Sequence, residues 1–433
     1  MYLVVGFGAT GISVIKYLNK TNIVPFVADT NLEFSKLQAL VADHDFDCAP
    51  TALQAELLNK VTVIVISPGV PLTLDFIVQA KKQGVEVIGD VELFARALAD
   101  IDSPPRLIGV TGSNGKTTVV TLITECLQRT GVRAVAAGNI GMCVLDVLER
   151  INDYNYIVLE LSSFQLDSTS SLRCDLACIV NITPDHMDRY QDFAAYRASK
   201  LTIFKLAQAA IINLYDKQQA DLPIKADFYL GAEREYNNIY MTDNKIVLNK
   251  QELAVANDFA LQGEHHYYNF MLVIAVLRYF DCDLKAPLSF LYNFKGLEHR
   301  CQHVATVRQV KYFNDSKATN VAATIAAVNS FAASWENLIL IAGGDAKDAD
   351  LKELSPILAQ LKAVILFGKD KYRLADLVAE PLVVDSMQEA VALAASLAVA
   401  DTAVLLSPAC SSLDMYKNFT HRGSDFIKQV RSL

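Results

Sequence analysis

The sequence predicts an α/β protein built from three consecutive α/β domains. Two observations support this fold class: short apolar runs alternate with amphipathic stretches along most of the chain, and two glycine-rich turns each follow an apolar run. A chain of 433 residues is also too long for one ordinary hydrophobic core. We therefore expect parallel sheets with helices between the strands, and ligands at the carboxyl ends of those strands.

The predicted N-terminal domain, residues 1–92, has apolar runs at 3–5, 24–28, 61–66 and 85–88 that are typical of parallel strands. Gly6, Gly8 and Gly11 form a G-x-G-x-x-G turn before a helical pattern, and Asp29 ends the second run. This combination indicates a Rossmann-like domain that binds the diphosphate of a nucleotide. Asp29 would bond a ribose hydroxyl or a base N–H. Taken alone, the motif also fits a dehydrogenase.

The predicted central domain, residues 93–296, opens near a Ser103-Pro104-Pro105 break and contains the most informative turn of the chain. An apolar run at 107–110 leads into Gly112-Ser113-Asn114-Gly115-Lys116-Thr117-Thr118, and a helical pattern follows. Backbone N–H groups at such a helix start face a phosphate, Lys116 adds a positive charge, and Thr117 offers a hydroxyl to Mg²⁺. The strict P-loop pattern would need glycine at Val110, which indicates a subclass of phosphate loop. The alternative is a plain glycine-rich turn.

Three further side chains of the central domain have a chemical and a structural interpretation. Further apolar runs lie at 133–137, 156–160, 177–181 and 209–213. Glu160 ends one of them and is either a Mg²⁺ ligand or a helix-initiating acid. His186 is either a ligand or a solvated loop histidine. Lys200 shares a helix face with Tyr196 and Phe204, which ordinarily indicates a lysine that extends along an apolar surface to solvent.

The predicted C-terminal domain, residues 297–433, repeats the alternation, with apolar runs at 338–342, 363–367, 382–384 and 403–406. The chain as a whole has 52% hydrophobic and 20% charged residues and a formal charge of −9, with no basic cluster for nucleic acid or anionic lipid. Eight scattered cysteines without a Cys-x-x-Cys pair argue against a zinc site. We expect a cytoplasmic protein without membrane insertion, and a monomer.

Several strings of the central domain resemble the Mur ligases, the ATP-dependent amide ligases of bacterial peptidoglycan precursor synthesis. They are TGSNGKTT (111–118), ELSSFQL (160–166), NITPDHMDRY (181–190) and YRASK (196–200). GLEHR (296–300), NDSKATN (314–320), GGDAK (343–347) and SPACSSLDMYKNF (407–419) resemble the branch that adds D-glutamate to UDP-N-acetylmuramoyl-L-alanine. The resemblance implies a Rossmann-like N-terminal domain, a P-loop-type central ATP-binding domain and a Rossmann-like C-terminal domain.

The resemblance also implies a role for each matching position. The UDP substrate would contact Gly8, Thr10, Gly11, Asp29, Thr30, Ser67, Pro68, Gly69, Asn139 and His186. ATP would contact Gly112, Ser113, Asn114, Gly115, Lys116, Thr117, Thr118, His265, Asn269, Arg300 and Asp315. The phosphate and D-glutamate sites would be lined by Lys317, Thr319, Lys347, Ser412, Leu413 and Phe419. Two Mg²⁺ ions would be held by Thr117, Glu160, His186 and a CO₂-derived carbamate on Lys200. The catalytic residues would be Lys116, Glu160, His186 and Lys200.

One position departs from the family pattern. The family has Gly-x-His-Asn-x-x-Asn at the start of the adenine-binding helix, whereas this chain has His266 in place of the first asparagine, between His265 and Asn269. A neutral imidazole nitrogen either donates or accepts, so the adenine contact from this position is open.

Three other functions compete with the ligase. A nicotinamide-dependent oxidoreductase would explain the first glycine-rich turn but not the second. A P-loop switch or binding module would hydrolyse ATP slowly, without an acceptor. A Mur ligase for a different amino acid is the third, against which NDSKATN and SPACSSLDMYKNF argue. In the leading interpretation, closure of the third domain completes the ATP site.

Overall fold

The computed structural model describes residues 1–29, 45–48, 60–187, 189–231, 237–332, 335–346 and 349–433. The predicted ligand contacts Thr30 and Lys347 lie outside these residues. Three separate sheets with helices between their strands confirm the predicted α/β class. The chain forms two compact units, Met1–Asn293 and Phe294–Leu433, and the predicted domain boundaries at 92/93 and 296/297 stay a prediction. None of the helices in the described ranges is long and apolar enough to cross a bilayer.

The first sheet is fully parallel and has the strand order β3-β2-β1-β4-β5. Its strands are β1 (Tyr2–Val5), β2 (Phe26–Ala28), β3 (Asp47–Cys48), β4 (Val63–Ile66) and β5 (Glu86–Gly89). Its helices are Ala9–Lys20, Asp75–Lys82 and Asp90–Ala99. The order runs outward from β1 to β3 on one side and from β4 to β5 on the other. The strand order therefore reverses between β1 and β4, where α/β sheets open a ligand crevice at their carboxyl edge.

The second sheet has the order β14-β13-β12-β11-β10-β9-β6-β8-β7. Its strands are β6 (Arg106–Thr111), β7 (Ala134–Gly138), β8 (Tyr156–Glu160), β9 (Cys174–Ile179), β10 (Ala207–Asn213), β11 (Phe228–Leu230), β12 (Asn238–Thr242), β13 (Lys245–Leu248) and β14 (Gln251–Val255). Its α-helices are Lys116–Arg129, Val144–Val147, Ser163–Leu166, Phe193–Lys205, Lys217–Ala220, Glu264–Tyr279 and Lys285–Asn293, with 3-10 helices at Leu148–Asp153 and Ala256–Asp258.

The antiparallel edge formed by β12, β13 and β14 is absent from the sequence prediction. Two short turns connect these strands, and all four turn residues, Asp243, Asn244, Asn249 and Lys250, have positive φ angles between 47° and 66°. Such turns match the twist of a hairpin. The Asp-Asn and Asn-Lys pairs are the sequence signal for this hairpin edge.

The third sheet has the order β15-β16-β20-β17-β18-β19. Its strands are β15 (Gln302–Val307), β16 (Val310–Asn314), β17 (Asn337–Gly343), β18 (Ala363–Phe367), β19 (Leu382–Val383) and β20 (Thr402–Leu406). Its helices are Val321–Ala332, Ser355–Leu358, Lys371–Ala375, Met387–Leu397 and Phe419–Arg431, with a 3-10 helix at Lys352–Leu354. The strands are parallel except for β15, which pairs antiparallel with β16. The carboxyl ends of β16, β20 and β17 are neighbours.

The first two sheets pack into one unit through a shared core and through polar contacts. One cluster of buried apolar side chains includes Val4 of β1 and Leu107 of β6. Glu92 accepts hydrogen bonds from the backbone N–H groups of Ser170 and Ser171 at 2.7 and 2.9 Å. These two sheets are therefore held in one compact body.

Candidate active site

The phosphate loop connects β6 to the helix Lys116–Arg129, as the sequence predicts. Gly112 and Gly115 have φ angles of 154° and 79°, which residues with a Cβ atom rarely adopt. A Cβ atom at Gly112 would lie 3.1 Å from Cβ of Val180, so the loop also packs too closely for a larger residue. The N–H groups of the first helical turn have no partner within the helix and are the donors that an anion can use.

The loop is held in shape by the segment that follows β9. The N–H groups of Ser113 and Asn114 donate to the backbone oxygen and the side-chain Oδ1 of Asn181, at 2.8 and 2.9 Å. The hydroxyl of Ser113 donates to the Thr183 carbonyl at 2.8 Å and lies 2.9 Å from the Tyr196 hydroxyl. Asn181 and Tyr196 therefore shape the phosphate loop, a role that sequence reasoning missed.

Two lysines converge on one carbonyl of this loop. Lys116 Nζ donates to the Gly112 oxygen at 2.7 Å and to the Ser113 oxygen at 3.0 Å, and Lys200 Nζ donates to the same Gly112 oxygen at 2.8 Å. Only 2% of Lys200 is exposed, so the interpretation of Lys200 as a lysine that reaches solvent is wrong. Burial, followed by repulsion from the Lys116 ammonium, lowers the pKa of Lys200 to about 7. A neutral amine is therefore accessible near neutral pH.

Glu160 is the last residue of β8, and only 1% of it is exposed. Its Oε1 accepts a hydrogen bond from Asn139 Nδ2 at 2.7 Å, whereas its Oε2 has no partner among the described residues. The helix that follows is capped by Ser162, whose hydroxyl accepts from the Gln165 N–H, and not by Glu160. A buried carboxylate oxygen without a partner is costly unless a cation or a proton binds it.

His186 lies at the rim of this region, in a turn with a φ of 56°. Its side chain is 46% exposed, its Nε2 lies 3.6 Å from Asp185 Oδ2, and its ring meets the Phe164 ring edge-to-face at 4.9 Å. Among the described residues, no three His, Cys, Asp or Glu side chains form a ready-made metal site. Mg²⁺ needs no such cage, because it is usually held by one or two carboxylates together with phosphate and water oxygens.

The crevice between the loops 6–11 and 67–69, here called the N-terminal crevice, has the geometry of a phosphate site. Asp29 follows β2, and its Oδ2 accepts a hydrogen bond from the Phe7 N–H at 2.8 Å. A Cβ at Gly11 would lie 2.1 Å from the Gly6 oxygen, whereas a Cβ at Gly8 or Gly69 would meet nothing within 4 Å. Gly11 therefore permits the tight turn, and Gly8 and Gly69 border open space at adjacent strand ends.

The helix Glu264–Tyr279 brings Asn269 against the phosphate loop. A Cβ at Gly115 would lie 3.3 Å from Asn269 Oδ1. His265 and His266 have ring centroids 3.9 Å apart, and burial lowers the pKa of His266 to about 3, so this imidazole is neutral. Its Nδ1 is buried and has no partner within the described ranges.

The predicted C-terminal contacts lie within the second compact unit. Lys317 Nζ lies 4.3 Å from the centre of the Phe419 ring, so the fold brings two predicted contacts together. Ser412 is buried and Leu413 is 62% exposed. Asp315 accepts hydrogen bonds from the Cys301 N–H and the Ser407 hydroxyl, at 3.2 and 2.9 Å, and burial raises its pKa to about 7.

Arg422 organises this unit and is missing from the sequence prediction. It is fully buried, and its guanidinium donates to the Ser316 hydroxyl and carbonyl, to the Cys410 carbonyl and to the Gly343 carbonyl, at 2.9–3.3 Å. These acceptors follow β16 and β20 or end β17. Its position at helical spacing from Phe419 and Phe426 is the signal that could have identified it.

Protein-family models match three successive parts of the chain. The model described as Mur ligase MurD-like, N-terminal domain, matches residues 1–89. The Mur ligase middle domain matches residues 110–277. The model described as Mur ligase, glutamate ligase domain, matches residues 299–410.

Curated relatives match over the full length. A UDP-N-acetylmuramoylalanine--D-glutamate ligase of Pseudoalteromonas translucida is 44% identical, with 99% of this chain and 96% of the relative covered. The protein of the same name from Shewanella violacea is 41% identical, with 100% and 96% covered. Among solved structures, UDP-N-acetylmuramate-alanine ligase of Thermotoga maritima aligns with a TM-score of 0.59 at 17% identity, covering 100% of this chain and 99% of the other. At that identity the structural likeness concerns the fold alone.

Proposed function

The chain belongs to the Mur ligase family, and we propose that it joins D-glutamate to UDP-N-acetylmuramoyl-L-alanine with conversion of ATP to ADP and phosphate, as a step of peptidoglycan precursor synthesis. The identity of the acceptor rests on the full-length relatives. The reaction type rests on one observation in this molecule: Lys116 starts the helix that follows the glycine-rich loop, and its Nζ is held at the Gly112 carbonyl, where a phosphate would bind.

The residues at the phosphate loop fit ATP and Mg²⁺. Gly112 and Gly115 let the loop pack closely against Val180 and Asn269, and the N-terminus of the helix that follows favours an anion. The buried Oε2 of Glu160 has no partner in the described part of the chain and is a hard oxygen of the kind that Mg²⁺ prefers. Bound Mg²⁺ would neutralise charge on the phosphates; Thr117, Glu160, His186 and a carbamylated Lys200 are the residues we assign to it.

The reaction has two steps. The carboxylate of UDP-N-acetylmuramoyl-L-alanine attacks the γ-phosphorus of ATP, which gives an acyl phosphate and ADP. The neutral amine of D-glutamate then attacks the acyl carbon, and the amide forms as phosphate leaves. Because the first step brings two anions together, its barrier depends on cations fixed in position, and Lys116 is the residue best placed to supply one.

We assign the N-terminal crevice to the UDP part of the substrate and the second compact unit to D-glutamate. The crevice residues that we assign to this substrate are Gly8, Thr10, Gly11, Asp29, Thr30, Ser67, Pro68 and Gly69. The same substrate would also contact Asn139, which donates to Glu160, and His186. The residues that we assign to the phosphate and D-glutamate sites are Lys317, Thr319, Lys347, Ser412, Leu413 and Phe419. Gly112–Thr118, His265, Asn269, Arg300 and Asp315 serve ATP. We place the reaction in the cytoplasm, carried out by a monomer.

Asp29→Ala is expected to weaken binding of the UDP substrate and to leave binding of ATP unchanged. The substitution removes the carboxylate that accepts from the Phe7 N–H and so loosens the first glycine loop. Loss of a hydrogen bond to a charged group costs about 1.5–3 kcal/mol, which is roughly a 10- to 150-fold rise in KM. Steady-state kinetics with each substrate varied in turn measure this. A large loss of ATP affinity alone would show that the two nucleotide sites are exchanged.

Lys347→Ala and Ser412→Ala are expected to raise the KM for D-glutamate more than that for ATP. The lysine variant removes a charged partner of a carboxylate and should cost about 1.5–3 kcal/mol, with a smaller effect for the buried hydroxyl of Ser412. Ser396→Ala, in the helix Met387–Leu397, is a control that removes an exposed hydroxyl of the same unit. Unchanged KM values for D-glutamate in both variants would contradict the assignment of Lys347 and Ser412 to the D-glutamate site.

ADP release that depends on both UDP-N-acetylmuramoyl-L-alanine and D-glutamate tests the proposal as a whole. A nicotinamide-dependent oxidoreductase would instead change nicotinamide absorbance and release no ADP. A P-loop binding module would release ADP slowly and at the same rate with and without the acceptor. Either result would overturn the ligase function.

A further inference from the structure

The two loops that border the N-terminal crevice contribute no cation to it. The loops 6–11 and 67–69 contain neither lysine nor arginine, and Asp29 adds a carboxylate beside the first loop. A nucleoside diphosphate carries at least two negative charges, and the chain has a formal charge of −9. Within these two loops only backbone N–H groups and hydroxyls could compensate that charge, and the open edges at Gly8 and Gly69 leave room for the ligand.

Arg189 supplies a guanidinium at this edge from the neighbouring sheet. Its Nη1 donates to the Gly69 carbonyl at 3.0 Å, although the two residues are 120 positions apart in the sequence. Gly69 follows β4, and β4 pairs with β1, so the guanidinium lies where the strand order of the first sheet reverses. A guanidinium has five N–H donors, and the Gly69 carbonyl uses one of them.

Phe164 fixes this guanidinium in place. The Arg189 Cζ lies 4.4 Å from the centre of the Phe164 ring, and the same ring meets the His186 ring at 4.9 Å. Tyr190 stacks on Phe164 with an interplanar angle of 8°, and its hydroxyl donates to Asp167 at 2.7 Å. The backbone N–H of Arg189 also donates to the His186 carbonyl at 2.9 Å, which fixes the turn that carries both residues. The arginine is therefore oriented before any ligand arrives, which reduces the entropy lost on binding.

We propose that Arg189 binds the diphosphate of the UDP substrate at the N-terminal crevice, as the cation that the two glycine-containing loops lack. The inference rests on the proposed function, because it takes a UDP-linked substrate as the ligand of that crevice. Planar guanidinium groups bind phosphate oxygens through paired, charge-assisted hydrogen bonds. Since His186 and Arg189 share the Phe164 ring, binding of the diphosphate also fixes the turn that carries His186.

Calorimetric binding of UDP-N-acetylmuramoyl-L-alanine without ATP or Mg²⁺ tests the inference. Arg189→Ala is expected to weaken binding about 10- to 150-fold, and Arg189→Lys to restore only part of it. Arg197→Ala is the matched control. Arg197 lies in the helix Phe193–Lys205, is half-buried like Arg189, and also donates to a backbone carbonyl, that of Gln218. The Arg197→Ala variant should bind the UDP substrate with the same affinity as the unsubstituted protein.

The outcomes separate this inference from the proposed function. If the unsubstituted protein does not bind the UDP substrate, the proposed function fails. If it binds, and Arg189→Ala binds equally well, only the role of Arg189 is overturned. If Arg189→Ala lowers Tm, uridine and UDP are compared as ligands: loss of affinity for UDP but not for uridine supports a diphosphate contact, whereas equal loss for both indicates a structural role and overturns it.

Discussion

Lys116→Ala is expected to reduce turnover by at least about 10²–10³-fold while leaving Tm unchanged. The Lys116 ammonium is held over the phosphate loop by the Gly112 and Ser113 carbonyls. Because Lys116 is only partly buried, the substitution removes a positive charge beside the reacting phosphoryl group and leaves the packing of the core intact. ADP release and thermal denaturation of the same preparation measure the two effects.

Lys217→Ala provides the matched control for this experiment. Lys217 is the first residue of the helix that follows β10, in the same sheet, and thus occupies the position equivalent to that of Lys116 in a helix without a glycine-rich loop. Its removal should leave turnover unchanged. Near-normal turnover in Lys116→Ala would mean that the phosphate loop has been assigned incorrectly.

Lys200→Ala is expected to be nearly inactive and to regain part of its activity with formate or acetate. The proposed carbamate on Lys200 presents oxygen atoms to Mg²⁺, and a small carboxylate can occupy the vacated anion position. Lys200→Arg should stay inactive, because a guanidinium remains charged and cannot provide an oxygen ligand. Lys205→Ala, an exposed lysine of the same helix, is the control and should be fully active.

The carbamate has a direct spectroscopic test that does not depend on the variants. A carbamate forms from the neutral amine, and the pKa of Lys200 is lowered to about 7 by burial and by Lys116. The fraction of Lys200 that is a neutral amine therefore rises as the pH rises through 7. The ¹³C signal of the carbamate, formed from labelled bicarbonate, should rise with pH as well. Full activity of Lys200→Arg, or no such signal at pH 8, would contradict the carbamate.

The phosphate loop could be predicted from sequence because its requirements are local. Gly112 and Gly115 adopt φ angles that few other residues tolerate, and Lys116 follows them directly at a helix start. The same is true of the first glycine loop, where Gly11 contacts the Gly6 backbone. The backbone conformation of such short motifs is determined largely by their own residues, so it can be predicted without knowledge of the tertiary structure.

The environment of Lys200 could not be predicted in this way, because burial depends on tertiary packing. Its helical spacing to Tyr196 and Phe204 was visible, but the usual interpretation of that pattern places the ammonium in solvent. In the folded chain the ammonium instead lies 4.7 Å from the Tyr196 ring centre and bonds a carbonyl 88 positions away. Arg189 and Arg422 escaped prediction for the same reason, since their partners come from distant strands.

The choice of acceptor shows most directly whether the protein is a D-glutamate-adding amide ligase. ADP release is measured with ATP, Mg²⁺ and UDP-N-acetylmuramoyl-L-alanine, with D-glutamate, L-glutamate, L-alanine and meso-diaminopimelate supplied one at a time. We expect rapid ADP release with D-glutamate, together with the corresponding amide product, and background release with the other three amino acids. Equal turnover with L-alanine or with the diamino acid would contradict this function.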